Sequence, residues 1–190
     1  GASVGAWQAL PAGRVWTTVF EAPGAVSQRI HVKRLELPEG ATLIAYDADE
    51  PTEAYGPFTA LPDSGNGLWT PSCFGERTAL EVFVPWGAPG SAAVEVDRTI
   101  YGYVPLSELA WRKVGGCHNS VACDATWADT AKGVAGIGTV TYDGQLWCTG
   151  TLIADSDATS QIPYFLTANH CEGQNDDHDS LEIYWMYQPA

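Results

Sequence analysis

Apolar and polar residues alternate in short runs along the first hundred positions. The alternation covers residues 14–20 (RVWTTVF) and 29–37 (RIHVKRLEL), and it recurs at 78–85 and 92–104. A period of two is the pattern of a half-buried strand, whereas a helix repeats every 3.6 residues. Turn-forming Gly and Pro residues separate the runs. The pattern predicts an all-β region, namely an antiparallel β-sandwich or jelly roll.

The run at 29–37 also predicts which side chains one strand buries. Ile30, Val32 and Leu35 are expected to face the core, and His31 and Lys33 are expected to face water.

The pattern changes near residue 105. Residues 105–113 (PLSELAWRK) predict one short helix with Ser107 as its N-cap, and a Gly pair that suits a domain junction follows. Further short strands are then predicted within residues 133–143, 145–153, 164–171 and 180–188. We expect two regions, a sandwich at 1–110 and a second β region at 111–190.

Composition narrows the class of protein. Hydrophobic residues make up 45% of the 190 positions, and 9 Lys and Arg against 23 Asp and Glu give a net charge of −14. This charge disfavours binding to nucleic acid or to an anionic membrane surface, and it fits a secreted or periplasmic protein. No apolar stretch approaches the roughly 18 residues of a membrane span. No export signal opens the chain, so we expect that any such signal has been removed or was not included.

The five cysteines favour an oxidising compartment. A zinc site built from Cys117, His118 and Cys123 is an alternative, but the CxxC pairs typical of structural zinc sites are absent. We therefore predict neither a metal nor a cofactor. The odd count leaves one thiol over, and we expect Cys73 to be buried in the first region.

The runs WCTGTLI and YFLTANHC predict two neighbouring strands joined by a polar loop. A bridge between Cys148 and Cys171, 23 positions apart, would contribute about 3 kcal/mol by loop closure. It would also fix the turn that presents His170, as a general base requires.

The ordered motifs CHNSVAC, GVAGIGTV, WCTGTLI, PYFLTANHC and LEIYWMYQ span about residues 114–188. They resemble trypsin-like serine proteases of the chymotrypsin fold and, within that clan, the bacterial lysyl endopeptidases. The resemblance implies the first part of a β-barrel protease, with His170 as the general base of the triad. It implies the disulfide Cys148–Cys171 beside that histidine, and bonds from Cys117 and Cys123 to cysteines farther along a full-length chain.

The same resemblance implies two catalytic groups that this sequence does not supply. The triad Asp follows the His by roughly 45 residues and the Ser comes later still, but the motif GDSGG is absent. Asp176, Asp177 and Asp179 are too near His170, and we interpret them as part of a solvated loop. We expect the chain to be the N-terminal part of a longer protease, inactive alone, whose partners are a peptide substrate and the rest of that protease domain.

Three histidines and one acidic run are given no role in catalysis or metal binding. No catalytic motif surrounds the other three histidines, His31, His118 and His178. The carboxylates at 47, 49, 50 and 53 predict an acidic turn rather than a calcium loop, because the Gly and the spacing of such a loop are missing.

The first region resembles the β-sandwich domains that precede some bacterial serine proteases. Cleavage between Lys113 and Val114 is a candidate processing step, because the resemblance places the start of the mature lysyl endopeptidases close to Val114. A protease that prefers Lys could cleave itself there, and a trypsin-like processing enzyme would serve equally well because Arg112 is also present. The alternative function is a non-catalytic secreted β-sandwich module that binds protein or carbohydrate.

Overall fold

The computed structural model describes residues 5–105, 108, 121–138, 146–157, 159–171 and 178–186. The chain divides into two compact units, residues 1–103 and 104–190. The all-β prediction is confirmed, since the described residues form three antiparallel sheets and one short helix. The assignment of residues 1–110 to a pre-protease domain and of 111–190 to a protease domain stays a prediction.

The first unit is built from eight strands. They are β1 (Ala6–Leu10), β2 (Gly13–Glu21), β3 (Ser27–Glu36), β4 (Thr42–Asp47), β5 (Ala54–Phe58), β6 (Leu68–Trp69), β7 (Arg77–Pro85) and β8 (Ala93–Gly102). One sheet has the order β1-β2-β7-β4-β5, and the other has the order β6-β3-β8. Every neighbouring pair is antiparallel.

The core of this unit lies between the two sheets. Ile30 and Val32 from β3 and Leu43, Leu80 and Val82 from the larger sheet form one cluster, and each is at most 1% exposed. Burying a side chain of this size contributes about 1.5–3 kcal/mol. The predicted sandwich is therefore present, with Ile30, Val32 and Leu35 on its inner side as expected.

The expectation that His31 faces water is wrong. The residue is 2% exposed, and its Nε2 lies 2.7 Å from the carbonyl oxygen of Asn66. Its ring centre lies 4.8 Å from that of Trp69. Alternation fails here for two reasons: the register of β3 shifts on both sides of Val32, and Asn66 and Gly67, which lead into β6, lie against the imidazole of His31. Lys33 is exposed, as predicted.

The buried imidazole lies against a carboxylate on β8. Nδ1 of His31 contacts Oδ1 of Asp97, and this contact lowers the pKa of the Asp97 carboxyl below 3.8, the usual value. A carboxyl group with a lowered folded-state pKa adds stability above its unfolded-state pKa, and that stability is lost as the pH falls through the folded-state value.

We therefore expect Asp97→Asn to reduce the slope of melting temperature against pH in the acid range. The melting temperature of the variant should fall less than that of the wild type between about pH 5 and about pH 2.5. Thermal unfolding followed by circular dichroism across this range measures the difference. Glu39→Gln, at an exposed position, is the matched control and should keep the wild-type slope. An unchanged slope in Asp97→Asn would contradict the assignment.

The second unit contains four strands in one sheet. They are β9 (Val134–Gly138), β10 (Leu146–Ile153), β11 (Tyr164–Leu166) and β12 (Glu182–Trp185), in the order β11-β10-β9-β12. A helix α1 (Ala128–Ala131) precedes β9, and 3₁₀ turns occupy Val121–Cys123, Ala125–Trp127, Asn169–Cys171 and His178–Ser180. Within the described ranges these strands form an open sheet and no closed barrel. The helix predicted at 105–113 lies largely outside the described residues.

The helices that the structure describes are all too short to cross a membrane.

Candidate functional site

Strand β11 ends abruptly and leads into a turn that is held from two sides. β11 pairs with the end of β10 in the register Thr151↔Leu166, Leu152↔Phe165 and Ile153↔Tyr164. Beyond Leu166 the strand stops, and the 3₁₀ turn Asn169–Cys171 begins.

Two hydrogen bonds shape that turn. The amide of Cys171 donates to the carbonyl oxygen of Ala168 at 2.8 Å. The hydroxyl of Thr167 donates to the carbonyl oxygen of Thr149 at 3.0 Å, which ties the turn back to β10. The turn is therefore closed by a hydrogen bond of its own backbone and tied to β10 by one side-chain hydroxyl.

A disulfide forms a second link between this turn and β10. Cys148 and Cys171 are bonded, with their Cα atoms 5.8 Å apart. Cys171 is 4% exposed, so the covalent link lies on the buried side of the turn. β11 itself is only three residues long, so the disulfide adds a covalent restraint to a short strand pairing.

His170 occupies the position next to this disulfide, and its side chain is exposed. One ring nitrogen and the two sulfur atoms all lie within 4.8 Å of one another. Both cysteines are oxidised, so the group offers no thiolate and does not constitute a metal site. What the arrangement provides is a solvent-accessible imidazole on a turn held by a disulfide and hydrogen bonds. Such a group is suited to accept or donate a proton.

The loop between β10 and β11 is organised by a carboxylate that the sequence analysis did not single out. Asp155 accepts hydrogen bonds from the amide of Asp157 at 2.9 Å and from the hydroxyl of Ser160. These contacts, the amide of Asp157 first, lower the pKa of the Asp155 carboxyl. Asp157 in turn accepts from the amide of Thr159 at 2.8 Å. The spacing of Asp with Ser or Thr two to five residues later is typical of such side-chain-capped turns and could have identified this loop.

The predicted site residues are only partly brought together. The structure places Cys148, His170 and Cys171 in one group, whereas Cys123 lies in a separate 3₁₀ turn with an exposed side chain. Asp179 is half-buried in its own turn, and so the interpretation as a solvated loop does not hold at that position.

Several other predictions fall on residues that the structure does not describe. Lys113, Val114, Cys117 and His118 lie outside the described residues, as do Asp176 and Asp177.

The lone cysteine and the acidic turn belong to the first unit. Cys73 is 1% exposed, and its Sγ lies 3.9 Å from the carbonyl oxygen of Pro71. In the acidic turn, Asp47 accepts from the amide of Asp49 at 2.9 Å, and Arg77 pairs with Asp49. These carboxylates therefore shape a turn and an ion pair.

Comparison with known proteins gives two family matches. A model described as the lysyl endopeptidase N-terminal domain matches residues 3–99, more than half of the chain. A second model, described as the C-terminal domain of lysyl endopeptidase, matches residues 112–190. No solved structure matches the chain.

Proposed function

Since the chain belongs to the lysyl endopeptidase family, we propose that it is part of a secreted serine endopeptidase. The parent enzyme hydrolyses peptide bonds through an acyl-enzyme intermediate, with a preference for Lys or Arg. The substrate is a protein or peptide, and the proposed chemistry needs no cofactor. The oxidised pair Cys148–Cys171 supports an extracellular or periplasmic location, because such bonds persist outside the cytosol.

The observation that carries the proposal is the position of His170. A general base must be accessible to the nucleophile and restrained in orientation, since a small misplacement costs on the order of a hundredfold in rate. The His170 side chain is exposed, while its backbone is bonded directly to a cysteine that is tied to β10. In the proposed mechanism this imidazole accepts the hydroxyl proton of a serine and later returns it to the leaving amine.

The nucleophile and the orienting carboxylate are proposed to lie on residues of the parent protein outside this chain. The same part of the parent would supply cysteines for Cys117 and Cys123, and the thiol of Cys123 is exposed and available for such a bond. On this proposal the 190-residue chain alone has no turnover, because a triad without its serine loses a factor on the order of a million.

The first unit is proposed to act as a pre-protease domain. Cleavage between Lys113 and Val114 would separate it from the protease region, and a protease with Lys preference could carry out that cleavage on itself.

One experiment on the parent protein tests both parts of the proposal. Nitrophenyl esters of blocked Lys, Arg and Ala are mixed with the enzyme at comparable concentrations, and product release is followed in the first seconds. We expect a burst equal to the enzyme concentration with the Lys or Arg ester and a much smaller rate with the Ala ester. N-terminal sequencing of the active enzyme should begin at Val114. Absence of ester hydrolysis contradicts the enzymatic function, and an active chain that still contains the first unit contradicts the processing step alone.

A further inference from the structure

The two sheets of the first unit have unequal numbers of strands. The larger sheet has five strands and ends in the β1–β2 hairpin, whereas the smaller sheet has three and ends at β8. A cavity of about 260 Å³ lies where the edge of the smaller sheet meets this hairpin. Its lining consists of Trp7, Trp16, Val82, Ala92, Ala93 and Val94. We call it the hairpin cleft.

The two tryptophans of the hairpin cleft lie on the core-facing side of the larger sheet. Trp7 is opposite Trp16 across β1 and β2, and Trp16 is opposite Val82 across β2 and β7. Residues opposite each other project to the same face of a sheet, and Val82 is buried in the core. Trp7 is nevertheless 48% exposed. An indole on an inner face is therefore left partly uncovered, and its partner Trp16 lines the same opening.

The cationic side chain of Arg14 lies beside the hairpin cleft. Arg14 is two residues from Trp16 in β2 and thus shares its face, and its guanidinium carbon lies 4.6 Å from the ring centre of Trp7. Among the described residues Arg14 belongs to no ion pair. Arg14 is half-buried, and the exposed cations of the unit differ from it, since each has a carboxylate partner: Lys33, Arg34, Arg77 and Arg98. The guanidinium of Arg14 lies over the indole of Trp7 and still has N–H donors that an anionic group of a ligand at this opening can bind.

The remaining wall of the cleft is the edge of a sheet. Among the described strands β8 pairs only with β3, so the backbone groups on its other side have no strand partner. An edge of this kind is a template for an additional strand, and β-strand addition is a common mode of peptide recognition. Such a strand would place alternate side chains on the inner side, about 7 Å apart.

We propose that the hairpin cleft binds an extended acidic peptide that adds to the edge of β8. One large apolar side chain of the peptide fills the cavity between Trp7 and Trp16. A carboxylate two positions along the peptide binds Arg14. This binding site is independent of the proposed peptidase activity, because it lies wholly within the first unit.

The chemistry of the lining favours a peptide over an oligosaccharide. The six lining side chains contain no oxygen atom, and indole nitrogens are their only polar side-chain atoms. Recognition of a sugar needs several hydrogen-bonding side chains around the aromatic face, whereas a peptide strand obtains its hydrogen bonds from the backbone of β8.

Calorimetric titration of the intact chain with three blocked pentapeptides tests the proposal. The first is acetyl-Thr-Leu-Thr-Asp-Thr-amide, which has Leu and Asp on one face of a strand. The second replaces Asp by Asn, and the third replaces Leu by Ser. We expect the first peptide to bind at least about tenfold more tightly than the second, since a charge-assisted hydrogen bond is lost in the second. The third should bind more weakly than the first because it leaves the cavity unfilled.

Variants of the chain separate the two contacts. Arg14→Gln should remove the preference for Asp over Asn, and Ala92→Phe should weaken all binding by filling the cavity, because Ala92 lines the cleft and packs against the core. Arg34→Gln, an exposed cation outside the cleft, is the matched control and should bind like the wild type. The proposal is overturned if the Asp peptide does not bind at about 1 mM, or if Arg14→Gln keeps the preference. Binding of a β-linked oligosaccharide that depends on Trp7, without binding of peptide, overturns it in favour of a carbohydrate site.

Discussion

Replacement of His170 by alanine in the parent enzyme is expected to lower kcat by a factor on the order of a million. The imidazole is proposed to take the proton from the nucleophile, and within the described turn Asn169–Cys171 the amide of Asn169 and the oxidised Cys171 cannot take that role. Stability should hardly change, because the side chain is exposed and a substitution at such a position costs within about 0.5 kcal/mol. Steady-state hydrolysis of a Lys ester, measured together with thermal unfolding, gives both quantities.

Asn169→Ala is the matched control for this prediction. Asn169 lies in the same 3₁₀ turn and is also exposed, so its replacement perturbs the turn while it keeps the imidazole. We expect this control to keep kcat within about tenfold of the wild type. Activity of His170→Ala close to that of the wild type would remove His170 from the mechanism. A large loss in both variants would show instead that the turn as a whole is sensitive.

Alternation of residue type predicted the strands that have one clear inner face. The second half of β7 is the best example, because Val82 and Val84 are buried whereas Glu81, Phe83 and Pro85 are partly exposed. The rule failed at β3, where five consecutive residues are buried. A register shift and a covering segment from far along the chain cause that burial, and neither is visible in a local pattern. β1 was missed because all five of its residues are exposed and show no alternation.

The candidate site shows the same division between local and distant information. His170 and Cys171 are adjacent in the sequence, so their proximity was available from the motif. The hydrogen bond from Thr167 to the carbonyl oxygen of Thr149 could not be predicted from the motif, because it depends on how two strands align and where β11 ends. The hairpin cleft could not be predicted from the sequence either, because the order of strands in two sheets is what places Trp7 and Val94 in one lining.

Loss of the disulfide is expected to have the largest effect on the stability of the second unit. The bond joins residues that are 23 positions apart, and closing a loop of this size contributes about 3 kcal/mol. In Cys148→Ala/Cys171→Ala, the free energy of local opening measured by amide hydrogen exchange in β10 should fall by about this amount. Because the turn is also tied to β10 through Thr167, we expect the sheet to persist and the position of His170 to become less defined.

The value of kcat/KM in the parent enzyme shows whether the disulfide also serves catalysis or only stabilises the unit. A less defined imidazole should reduce kcat/KM by on the order of a hundredfold. Wild-type kcat/KM in the double variant would mean that the hydrogen bonds from Thr167 and Cys171 alone suffice to orient His170. The disulfide would then stabilise the unit without preparing the site, and the argument for His170 would rest on its exposure and its turn geometry.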